Sequence, residues 1–342
     1  MGGTRNGGSA TGVTLVAVVL AVVVAGAVPA LASFTQSGVK TTSLREWIPA
    51  ANDGYLAWSQ NSASRPRHTD YFVEPTGESA YRANSKGTFG YGGGIDGTTL
   101  IYQEVNGRRT DSDLKLFDLT LKTRSNPPSG VNTALWEWSP TISGDWILFG
   151  RNKFDRPASP WRVILFNTST SETRVLDSVA NKCGCIYPGQ VVGDYATWDV
   201  CSGIRCQVFQ HTISSNSSQR LPNPFGRHQY ASSPASDGTV YFARSGAACG
   251  ASVRIVSWVS GGPDAGTVIG SLPSDRDIGA RTYTYTDGSS LDHIYYDRYS
   301  CRTGGLDVYV FDEQSGGRPG FRSPGSSTSR TGKVRTIDAA RP

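Results

Sequence analysis

The sequence predicts an all-β chain, a six-bladed β-propeller of four-stranded antiparallel blades preceded by a signal peptide. Three observations carry that expectation. A tight turn recurs six times, as Asn52-Asp53-Gly54, Asp96-Gly97, Gly144-Asp145, Gly193-Asp194, Asp237-Gly238 and Asp287-Gly288, and its glycines are 43 to 50 residues apart. A period near 45 residues is that of a propeller blade or a repeat array. A short apolar strand follows every turn, such as Leu56-Ala57-Trp58, Ile147-Leu148-Phe149 and Val240-Tyr241-Phe242. No heptad or long 3.6-residue apolar period occurs, so few helices are expected.

At the N-terminus, residues 1–12 are polar with Arg5 as the only charge, and Val13 to Val28 is an unbroken run of apolar or small residues. Ala30-Leu31-Ala32 follows. This is the pattern of a secretory signal peptide over residues 1–32, cut after Ala32. The run is short for a membrane span of about 20 residues. Membrane attachment is therefore expected only through an uncleaved signal anchor. The expected location is secreted, extracellular or in the cell envelope.

Residues 33–342 are expected to form the propeller. The stretch Trp138 to Asp177 contains one whole blade: four short runs rich in β-branched and aromatic residues, broken by turns. The same pattern sets blades at about 44–84, 88–127, 135–178, 186–222, 229–272 and 280–338. A closed ring leaves no free sheet edge, and closure needs one blade built from both chain ends. Gly38 to Thr42 and Lys333 to Ile337 compete for the outer place in the sixth blade. Between 314 and 331 the chain is rich in Gly, Ser, Pro and Arg and reads as irregular.

The segments Ser236 to Arg244 and Leu306 to Asp312 resemble TolB-type, WD40-like (PD40-type) propeller repeats of secreted bacterial proteins. Their pattern is a turn, an apolar strand, an Arg/Asp-containing loop and an Ile-Tyr-Val-like strand. The resemblance covers roughly residues 44–312 and implies the propeller fold. Some propellers of this kind are lyases.

Six cysteines in an exported chain point to disulfides. Cys201 and Cys206 flank the loop between the second and third strands of blade four. Cys249 and Cys301 sit in the matching loops of blades five and six, and Cys183 and Cys185 enter blade four. All six fall on one face. Cys249–Cys301 is the expected inter-blade pair, with Cys183 and Cys185 joined to Cys201 and Cys206. A Cys201–Cys206 hairpin bridge is the alternative. A zinc site is disfavoured, because no histidine lies near these cysteines, and no cofactor is expected.

The sequence names no reaction. It lacks the H-E-x-x-H and G-x-S-x-G motifs. Gly90 to Gly94 lacks the Lys-Ser/Thr of a phosphate loop, so close backbone approach is its expected meaning. Two sets of residues are candidates for binding, against packing between blades as the favoured reading of the first and neutralisation by Asp111, Asp113, Asp155 and Asp297 as that of the second. The first is an aromatic near the start of each inner strand: Trp47, Tyr91, Trp138, Tyr187, Tyr230 and Tyr283. The second is basic, in loops of the cysteine-bearing face, notably Arg108, Arg109, Arg151 and Arg156, with His228 and Arg281 in entering segments. These four loop arginines are expected to lie away from the apolar strands. Arginines there would attract carboxylates or phosphates, in keeping with a formal net charge of +5. The expected function is a binding or protein-interaction module, with a protein or an anionic cell-envelope polymer as partner and no nucleic acid. The alternative is a polysaccharide lyase or hydrolase at the channel mouth, which a clustered His, Arg and carboxylate set would favour.

Overall fold

A computed structural model describes residues 33–62, 64–153, 160–180, 185–203, 205–246 and 252–315. The expected signal peptide, Arg156, Cys183, Cys249 and residues 333–337 lie outside the described residues. Six four-stranded antiparallel sheets make the ring. Their inner strands are Glu46–Ala51, Phe89–Asp96, Trp136–Ser143, Cys185–Val192, His228–Pro234 and Arg276–Thr286. Three further strands follow in order outward in each of blades one to five. Among the described residues there is no helix.

The sixth blade takes its outer strand from the N-terminal side. Phe34–Lys40 pairs antiparallel with Leu306–Glu313, with Phe34 opposite Glu313 and Gly38 opposite Tyr309. A strand edge pairs once, so the place expected for residues 333–337 is occupied. The described part of the blade consists of 276–313 and 34–40, and its expected extension to 338 lies outside the described residues. Phe34 also packs edge-on against Tyr241 of blade five, with ring centroids 6.2 Å apart.

The apolar core lies between blades, because each four-stranded sheet has two faces and each face needs a neighbour. Leu100, Tyr71 and Tyr102 belong to a cluster joining blades one and two. Phe149, Phe166 and Leu114 join two and three. Trp198, Leu148 and Leu165 join three and four. The inner-strand turns tie neighbouring blades as well: the Gly144 amide donates to Asp96 Oδ2 at 2.7 Å, and the Gly193 amide donates to Ser143 Oγ at 3.0 Å. Gly97, Gly144 and Gly193 hold these turns at φ of 54°, 53° and 54°, a conformation that costs glycine little.

Candidate binding site at the channel mouth

Every inner strand breaks its register near its start. The shifts fall between Trp47 and Ala50, Tyr91 and Gly93, Trp138 and Thr141, Pro188 and Val191, Tyr230 and Ser233, and Ile278 and Thr282. A bulge bends the strand and re-aims the side chains beside it. Ile48, Ser139 and Ala231 sit in three of these bulges with φ of 50°, 50° and 55°, an uncommon region for residues other than glycine. The aromatics predicted in blades one to five stand just before the bulges. In blade six that place belongs to Ile278. The expectation for Tyr283 is thus corrected: it lies past the bulge, buried, with its hydroxyl donating to Ile95 O and accepting from the Ile95 amide, each at 2.9 Å.

From the bulges themselves, side chains tie the inner strands to one another across the channel. The Gln190 side chain pairs with both backbone groups of Thr284 at 2.9 and 2.8 Å. Arg281 is 3 % exposed, and its guanidinium donates to Gly93 O and to Pro140 O on blades two and three. This explains the glycine run in blade two. A Cβ on Gly93 would lie 1.8 Å from Ile101 O, and one on Gly92 would lie 2.0 Å from Ile48 Cγ2. The run makes room for close backbone approach.

Above these ties is a cavity of about 610 Å³. Tyr91, Trp138, Tyr187 and Tyr230 line it, together with His228, Arg281, Asp199 and Asp277. Trp47 does not. Trp138 packs edge-on against Trp161 and Tyr187, at centroid distances of 5.5 and 6.1 Å. The Trp138 ring fills the space over Gly150, where a Cβ would lie 2.3 Å from it. Its Nε1–H is buried with no acceptor among the described residues. Tyr187 is 42 % exposed at the rim.

The ionisable groups of the cavity are engaged in holding backbone. Asp199 accepts from the Ala231 amide and Ser232 Oγ, both at 2.6 Å, which fastens blade four to blade five. Burial pushes its carboxyl up to about 7, against the pull of those hydrogen bonds. Tyr230 donates its hydroxyl to Asp277, which also accepts from the Ile278 amide. His228 stacks on Tyr230 at 4.1 Å, and its Nδ1 accepts from the Cys206 amide at 2.9 Å. That bond places the proton of the neutral ring on Nε2, and burial lowers the ring's pKa.

The state of Asp199 has a measurable consequence. Its pKa is raised from 3.8 to about 7 on folding, so between those values the folded protein holds a proton that the unfolded chain has released. Its contribution to stability therefore falls as pH rises through that window and levels off above it. Asp199→Asn removes this titration. The thermal midpoint of the variant relative to wild type should rise from pH 4.5 to pH 7.5. Parallel curves would mean that Asp199 is already ionised at the lower pH.

The basic set is less free than its sequence suggests. Arg151 lies in the strand Trp146–Asn152 and donates from Nε to Glu137 Oε1 at 2.9 Å. Its Nη2 donates to Gly130 O and Val131 O at 2.9 and 2.8 Å. The expected free loop cation is a half-buried anchor, because Glu137 is fully buried beside it. Arg109 is exposed but lies 4.2 Å from the Phe89 ring and donates to Arg67 O. Arg108 is exposed.

The buried Glu137 is a feature the sequence reading missed. Thr133 donates to it at 2.7 Å, and Thr42 makes the equivalent bond to Glu46 in blade one. The signal was a T-x-L-x-E-W repeat at 42–47 and 133–138.

Cys201 and Cys206 form a disulfide across neighbouring strands. This is the hairpin alternative, and it displaces the favoured pairing to Cys183 and Cys185. Residues directly opposed on paired strands come within reach of each other, so the short hairpin closes on itself. Cys185 is a free thiol and Cys301 is disulfide-bonded. Among the described residues no group of His, Cys, Asp and Glu could hold a metal ion.

No family model and no curated protein matches the sequence. Among solved structures, the chain is similar to TolB from Acinetobacter baumannii, with 14 % identity and a TM-score of 0.49 over 76 % of this chain and 64 % of that one. It is similar to oligogalacturonate lyase from Vibrio parahaemolyticus, at 8 % identity and a TM-score of 0.49 over 85 % of this chain and 100 % of that one. It is also similar to the β-propeller domain of the Trilobed protease from Pyrococcus furiosus, at 11 % identity and a TM-score of 0.46 over 80 % of this chain and 97 % of that one.

Proposed function

We propose that this propeller is an exported or cell-envelope binding module that takes a polypeptide segment of a partner protein at its channel mouth. The observation that carries the reading is the aromatic cavity with the unpartnered Trp138 Nε1–H at its wall. Aromatic side chains give large apolar contact with a polar handle, and a peptide carbonyl would satisfy the buried donor. The reading moves recognition from the loop arginines to the mouth. The immobilised chain should retain a defined set of proteins from envelope extracts. Tyr187→Ala and Trp138→Phe should release that set. Leu121→Ala, in the turn between third and fourth strands on the other face, should keep it. Equal retention by all three variants would remove the mouth from the account.

One observation favours a second reading. His228, Arg281, Asp199 and Asp277 line the same cavity, the set expected of an enzyme acting on an anionic polysaccharide. Their polar atoms are largely spent on the fold, which is why binding is preferred. Turnover of uronic-acid polymers by wild type, abolished in His228→Asn, would reverse that preference.

A further inference from the structure

A second cavity, of about 410 Å³, lies at blade five and shares no lining residue with the mouth. Its wall includes Arg244, at the end of the strand Val240–Ser245. Arg244 is 6 % exposed. Its Nη1 donates to Ala265 O at 2.6 Å, but Nε and Nη2 are buried with no hydrogen-bond partner among the described residues. An unpaired buried charged donor is costly. The rings of Phe242 and Phe225 lie 5.2 and 5.7 Å from the guanidinium carbon and hold it in place.

The surroundings increase the positive charge. Arg254 is directly opposite Arg244 on the paired strand, a like-charge pair that destabilises a sheet. Arg227 lines the same cavity. Among the described residues no carboxylate forms an ion pair with any of the three. Burial first, and then the charge of Arg254, lower the pKa of Arg244. A bound anion would offset both.

We propose that this cavity is an anion site that receives a carboxylate of a polypeptide ligand. Nε and Nη2 form one edge of the Arg244 guanidinium, with two parallel N–H donors left unpartnered among the described residues, the geometry that a carboxylate meets with both oxygens. Phe225 and Val268, 62 % and 46 % exposed, border the cavity. They suit an apolar side chain beside the acidic one and suit a hydroxyl-covered sugar poorly. The proposal stands apart from the mouth cavity, so its failure leaves that reading untouched.

The probe is a blocked glutamyl-leucine dipeptide amide, titrated into the whole protein and into each variant by calorimetry and followed, wherever Arg244 is present, by its Nε–H resonance. That resonance should shift and saturate. The glutaminyl counterpart should leave it unmoved. Affinity should fall at least tenfold in Arg244→Met and about threefold in Arg254→Gln, whose side chain is exposed and whose loss should not disturb folding. Higher salt should weaken binding. Equal shifts from the glutaminyl peptide, or unchanged affinity in Arg254→Gln and in folded Arg244→Met, would overturn the proposal. Tighter binding of a galacturonate oligomer or of inorganic phosphate than of the peptide would overturn the assignment to a polypeptide.

Discussion

Gly93→Ala should destabilise the ring by about 3 kcal/mol or more, the upper range for overpacking a close-packed interior. The new Cβ would lie 1.8 Å from Ile101 O and 2.8 Å from Ile101 C. Both are backbone atoms, so no side chain can swing away to relieve the contact. The inner strand of blade two would have to shift, and Gly93 O would move with it. That carbonyl accepts from Arg281, which also reaches blade three, so the damage should spread across the channel. Gly97→Ala is the control. Gly97 has φ of 54° and open space around its Cβ position, so it should lose only about 1 kcal/mol, through backbone strain alone. Chemical denaturation of both variants compares them. Similar losses would mean that the close approach at Gly93 is not a constraint.

Arg151→Glu should cost about 3–5 kcal/mol, the scale for breaking a buried ion pair by removing one partner. Glu137 is fully buried, and burial raises its carboxyl to about 7 even with Thr133 and Arg151 bonded to it. Reversal would set a second carboxylate against it. It would also free Gly130 O and Val131 O, which anchor the segment entering blade three. Arg108→Glu, at an exposed position, should stay within about 0.5 kcal/mol of wild type. If both reversals were equally mild, Arg151 would be a solvated loop cation as its sequence context suggests.

Arg151 marks the limit of what the sequence could tell. Blade number and strand order were legible because they rest on local signals: turns containing glycine and aspartate, and runs of apolar residues with a fixed period. Ring closure was legible only as a choice between two segments, since strand pairing between distant parts of the chain leaves no local mark. The register break in each inner strand was not legible at all. It decides that Tyr91, Trp138, Tyr187 and Tyr230 reach the mouth and that Tyr283, five residues after Ile278, is buried in the channel. Arg244 shows the same limit, because its burial and its two unpartnered donors follow from packing against Phe225 and Phe242. Composition gave a count of basic residues, while structure separates those that anchor the fold from those with donors to spare.

The central claim is that the mouth, rather than the opposite face, meets a polypeptide. Site-specific photocrosslinking tests it most directly. A photoreactive phenylalanine replaces Tyr187, 42 % exposed at the mouth, or Leu121, 70 % exposed in a turn on the other face. After irradiation in envelope extract, position 187 should yield a discrete protein adduct that unlabelled wild-type protein competes away, and position 121 should yield none. Equal adducts from both positions, or none from position 187, would contradict the account.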